Sequence, residues 1–150
     1  MERERKEMKV NKTLNTDKVY YLASPYSHKS DFIKELRYQA IACIAARLIS
    51  DHHLILLEPI ASCHAKSYMY DMPTGYEYWK TRDRKMIALS DGIIVATLPG
   101  WEESEGVTDE IQYAKELGKD IIYLAPKDIL TMEELYSLTT FFMAADNRSV

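Results

Sequence analysis

The chain has 150 residues, 47% hydrophobic and 28% charged, with a formal net charge of −4. This suits one globular domain with a sizeable core, and it excludes the broad basic footprint of a protein that binds nucleic acid polymers. Cys43 lies in a helical pattern and Cys63 in a loop; two cysteines so placed make neither a disulfide framework nor a zinc site, and both are read as reduced thiols of a cytoplasmic protein.

Residues 1–16 mix charges with no apolar core, so they are neither a signal peptide nor a membrane span and read as a loose tail before a single domain over residues 17–144. Lys18–Ala23 is the first strand, and Pro25 in Ser24-Pro25-Tyr26-Ser27 forces the chain out of the ladder. Ser30 or Asp31 caps a long crossover helix, in which Ile33, Leu36, Ala40, Ile44 and Leu48 keep helical spacing. Leu54–Leu57 is a second apolar strand, ended by Glu58-Pro59, whose following loop opens on the same rim as Ser24.

Ala61–Gly75 shows no convincing period. An irregular segment of that length is often a lid or binding loop, which makes His64 a candidate ligand contact. A helix over Tyr76–Leu89 follows, with Trp79, Asp83 and Ile87 four residues apart on one face. Asp83 therefore either points inward or, on a slightly rotated helix, forms an exposed ion pair with Arg82 or Arg84.

Asp91–Leu98 is a buried strand, Pro99–Gly106 a loop carrying Trp101 among Glu102, Glu103 and Glu105, and Val107, Ile111, Ala114 and Leu117 then recur at helical spacing until Gly118 stops the helix. At such a junction ligands bind, and the free N–H groups of the first helical turn attract anions. Glu110 projects near the buried stripe of this helix, whereas Asp109 shares the outer face with Glu116. A carboxylate in a first turn directed at the sheet is a candidate nucleophile or base. Asp120–Ala125 is a further strand stopped by Pro126, and Thr131-Met132-Glu133-Glu134 is a capping box opening a last helix through about Met143.

Four strands alternating with helices imply a three-layer α/β domain of flavodoxin-like (Rossmann-like) type, with a parallel sheet of four to five strands. No G-x-G-x-x-G, Walker A or G-x-S-x-G motif occurs, which argues against dinucleotide oxidoreductases, P-loop proteins and α/β-hydrolases.

Three segments in order, Tyr20-Tyr21-Leu22-Ala23-Ser24-Pro25-Tyr26, Asp83 followed by Ser90-Asp91, and Ser104-x-Gly106-x-x-x-Glu110-x-x-x-Ala114, together resemble the nucleoside 2-deoxyribosyltransferase superfamily, which includes deoxynucleoside 5′-monophosphate N-glycosidases. The resemblance runs from about Lys18 to Ala125. It implies that Glu110 is the nucleophile, that Asp83 works beside it on the sugar or a proton, and that the first-strand loop with Tyr20 and Ser24 lines the pocket. It also implies that Ser104, before Gly106, contacts a 5′-phosphate. Where family members commonly carry Gly, this chain has Gln112.

The expected activity is cleavage or transfer of the N-glycosidic bond of a 2′-deoxyribonucleotide or deoxynucleoside by a retaining mechanism, with neither metal nor organic cofactor. Tyr20 or Tyr21, Tyr26 and Trp101 are candidates to stack on the base. Asp91 is expected to be structural. A non-catalytic nucleotide sensor and a ribonucleotide or NAD glycohydrolase are the competing readings. Self-association into a dimer or larger assembly is expected through the last helix, with Leu135, Leu138, Phe141 and Phe142 as its surface.

Overall fold

The computed structural model describes residues 14–73 and 75–138. Four strands lie among them, β1 (Val19–Ala23), β2 (Ile55–Leu57), β3 (Gly92–Ala96) and β4 (Asp120–Leu124). They form one all-parallel sheet in the order β2-β1-β3-β4. The helices are α1 (Asp31–Ser50), α2 (Pro59–Met69), α3 (Tyr76–Leu89), α4 (Glu105–Glu116) and α5, which begins at residue 132. The expected three-layer flavodoxin-like architecture is present.

Alternation along the inner strands divides the core in two, because successive side chains leave a strand on opposite faces. Tyr20, Leu22, Ile94 and Ala96 meet Ala40, Ile41, Ile44 and Leu48 of α1. Tyr21, Ala23, Ile93 and Val95 meet Ile87 of α3 and Val107 and Ala114 of α4. Burial on both faces is why β1 and β3 read as continuous apolar runs. Ile94 is wholly buried. Ile94→Ala is expected to cost about 2–5 kcal/mol, read as a lower urea midpoint with an unchanged slope.

Several sequence expectations hold at the helix ends. The Ser30 Oγ, rather than Asp31, accepts from Ile33 N and starts α1. Thr131 and Glu134 bond reciprocally as a capping box. Gly118 follows the last turn of α4 at φ +66, a left-handed conformation that glycine adopts without a Cβ penalty. Asp91 is structural: its Oδ2 accepts from Val19 N at 2.8 Å, joining the starts of β3 and β1.

Others do not hold. The supposed irregular segment is helical as far as residue 69, within the helix Pro59–Met69, so His64 is a helix residue rather than a loop residue. Leu14 is buried in the core and Asn15 N donates to the Tyr20 hydroxyl, so the described end of the supposed tail is packed. Leu135 and Leu138 pack against the core and not outward, while Phe141, Phe142 and the rest of that helix lie outside the described residues. No helix among the described residues is long and apolar enough to cross a membrane.

Candidate functional site

The chain runs from β1 to β2 on one side and returns past β1 to β3 on the other, so the strand order reverses between β1 and β3. Such a switch point leaves a crevice at the carboxyl ends of the strands. A cavity of about 440 Å³ lies there, lined by Ser24 and Tyr26 after β1, His64 of α2, Asp83 of α3, Ser104 at the start of α4 and Glu110 in its second turn, rather than the first turn expected. That volume falls within the range of small-molecule sites.

Two carboxylates from neighbouring helices turn into this cavity. Glu110 shares the buried face of α4 with Val107 and Ala114, and Asp83 shares that of α3 with Ile87. Each is only 6% exposed, and neither Glu110 Oε2 nor Asp83 Oδ1 has a hydrogen-bond partner. Burial pushes the Glu110 carboxyl well above the usual range, and the charge of Asp83 adds to the rise. Burial likewise raises Asp83 to about 6, opposed by Arg82, whose Nη1 stands 3.6 Å from Asp83 Oδ1. Tyr21 lies against Glu110 and favours its ionised form, although the Tyr21 hydroxyl, like Ser24 Oγ, completes no hydrogen bond. Four buried polar groups with an atom that lacks a hydrogen bond at one cavity leave bonds for a ligand to complete.

The two helices are clamped together beside the acids. Asp109 Oδ2 accepts from Tyr76 Oη at 2.7 Å and from Arg84 Nε at 3.0 Å, and Asp109 Oδ1 accepts from Arg84 Nη2. Asp109 is therefore a tie between α3 and α4, not a free outer-face residue. This tie takes Arg84 away from Asp83 and leaves Asp83 facing inward. Tyr76 lines the cavity, and its ring covers Gly106, where a Cβ would stand 3.1 Å from Tyr76 Cδ2. Gly106→Ala is expected to displace that ring by a few tenths of an ångström while gaining helix propensity. The melting temperature should move by less than about 3 °C, with ligand affinity falling.

The remaining expected site residues divide. Ser104 lines the cavity and caps α4, its Oγ accepting from Val107 N at 3.2 Å. His64 is buried and stacked on Tyr38; its Nε2 lies 2.6 Å from Glu35 Oε2 and its Nδ1 2.7 Å from Tyr26 Oη. Tyr20 is not in the site. It lies on the α1 face of β1 with its hydroxyl on Asn15, and its neighbour Tyr21 occupies the cavity face. Trp101 also misses the cavity, packing against Tyr123 of the edge strand β4. Glu103 and Glu105 stand at the rim with Glu77, and Arg82 is the one cation lining the cavity among the described residues. Glu35 and Tyr76 carried no sequence signal, because their partners lie 29 and 33 residues away.

Fold and site define a parallel α/β domain that presents two buried carboxylates in a switch-point cavity. Residues 18–125 match the family described as a domain of unknown function, DUF1937, and the chain belongs to it. Among curated proteins none matches the chain.

Proposed function

We propose that the protein cleaves the N-glycosidic bond of a 2′-deoxynucleoside or its 5′-monophosphate, by a retaining double displacement with Glu110 as nucleophile. The observation that carries this reading is the Glu110 carboxyl, buried, unpartnered at Oε2 and set beside a second buried acid in a cavity of nucleoside size. Asp83 and Glu110 cannot both ionise cheaply in a desolvated site, so the pair holds a proton. When that proton resides on Asp83, Glu110 is ionised and faces the anomeric carbon. The carboxylate then stabilises the positive charge that develops on the sugar as the C1′–N bond breaks. The base leaves with the bond's electron pair and accepts a proton, for which Asp83, raised to about 6, is the nearest acid. Glu110 closes on C1′, and water or a second base resolves the glycosyl ester.

Between the two substrate forms, the rim supports the nucleoside. Glu77, Glu103 and Glu105 oppose a dianionic phosphate, and Arg82 is shared with Asp83. The test is chromatography of free base from deoxynucleosides, their 5′-monophosphates and the ribose counterparts. Release from deoxynucleosides at several times the monophosphate rate is expected. Faster release from ribose compounds would move the assignment to a ribonucleoside or NAD glycohydrolase, and binding without release from any of them would leave a sensor.

A further inference from the structure

Tyr26 and His64 both line the cavity, so the hydrogen bond between them lies in its wall. They come from the β1 loop and α2, across the end of β1 from the α3 and α4 acids. Hydrogen-bond inventory decides which way this bond points. Glu35 is a carboxylate held below its ordinary range by Gln39, with His64 adding to the effect. It can only accept, so the proton between it and His64 belongs to Nε2. In the neutral imidazole Nδ1 is then bare, and the bond to Tyr26 forms only if the phenol donates. Burial and the neighbouring Tyr68, Glu35 and Asp31 push the Tyr26 phenol up to about 12, so it keeps its single proton, already committed to His64. What Tyr26 Oη has left for the cavity is lone pairs. Tyr38, stacked on the imidazole, and Tyr68, against its edge, hold the ring in place.

We propose that Glu35 and His64 fix Tyr26 as a hydrogen-bond acceptor that reads a donor on the bound base, so that the site selects bases bearing an exocyclic amino group. The N-glycoside reading enters only in seating the sugar at Glu110, which leaves the base at the Tyr26 wall. Tyr26 contacts the ligand; His64 and Glu35 are positioning residues that set its polarity. An oxo group in place of the amino group sets two acceptors against each other, and a bare ring carbon leaves the Tyr26 oxygen unpaired.

The test is equilibrium binding to full-length Glu110→Gln protein, which keeps the site without its nucleophile, using 2′-deoxyadenosine, 2′-deoxyinosine and purine 2′-deoxyriboside. Base release by the wild type is followed in parallel. Deoxyadenosine is expected to bind at least about tenfold more tightly than the other two. Adding Tyr26→Phe should bring the three within about threefold of one another. Adding Glu35→Gln, whose amide accepts either imidazole tautomer, should relax the preference with Tyr26 still in place, which loss of packing alone would not do. Equal binding with Tyr26 intact, a preference that survives Tyr26→Phe, or no binding by any of the three would overturn the proposal. Amino-selective binding with no base released by wild type would support it and overturn the glycosidase reading alone.

Discussion

Glu110→Gln is expected to lower base release by at least about a thousandfold while raising the melting temperature. Loss of a nucleophile that must attack C1′ removes the covalent route entirely, and residual rate then reports only positioning and the second acid. The stability change has the opposite sign because the Glu110 carboxyl is raised by burial and by Asp83, so ionising it in the folded state costs free energy that glutamine does not. The unfolded chain ionises this group at lower pH than the folded protein does, so the penalty grows as pH rises above the ordinary carboxylate range, and the variant should gain most on that side. A fall in activity accompanied by a fall in melting temperature would point to a structural glutamate and defeat the nucleophile assignment. The near-isosteric amide keeps the volume of a group that is 6% exposed, so a cavity effect does not confuse the reading.

The second large effect is the pH dependence of stability carried by Asp83. Its value is raised from 3.8 to about 6. The folded protein therefore binds this proton more tightly than the unfolded chain, and the resulting stability is complete below 3.8 and lost as pH rises through about 6. The gap corresponds to about 3 kcal/mol at full ionisation. Asp83→Asn should stabilise the protein by about 2–3 kcal/mol at pH 8 and change it little at pH 4. Asp109 and Glu134 are held below their ordinary values by Arg84 and Arg47, so they act in the reverse direction as acid is added. Comparing wild type with variant at each pH cancels these terms. The observable is the urea midpoint from pH 4 to pH 8, and a gain that is constant across that range would assign the effect to something other than Asp83 ionisation. Base release by the same variant should fall, the usual exchange of stability for a strained site.

Glu110 was legible in the sequence because a helix with Val107 and Ala114 on its sheet side must also turn residue 110 inward. Asp83 was half legible: spacing put it with Ile87, but its two arginine neighbours allowed an exposed pair. Only the packing of α3 on α4 gave Arg84 another carboxylate, Asp109, and so decided the matter. The helix α2 was missed for a physical reason. Its buried positions are Pro59, His64 and Ser67, so the run of apolar residues at helical spacing that marks an ordinary amphipathic helix is missing from its buried face. Tyr20 and Tyr21 were indistinguishable because both faces of β1 are covered, and adjacent aromatics in a doubly buried strand carry no mark of their side.

By itself the sequence determined the α/β alternation, the parallel sheet, most element ends and the inward carboxylate of α4. These follow from local periods of 2 and 3.6 residues and from caps that act within one turn. Tertiary structure alone decided that the strand order turns at β1 and β3, that Tyr21 rather than Tyr20 meets Glu110, and that Glu35, His64 and Tyr26 join in one hydrogen-bonded line. Those relations join residues 29 to 89 positions apart, and a one-dimensional pattern records which face a residue takes but not which distant residue meets it there.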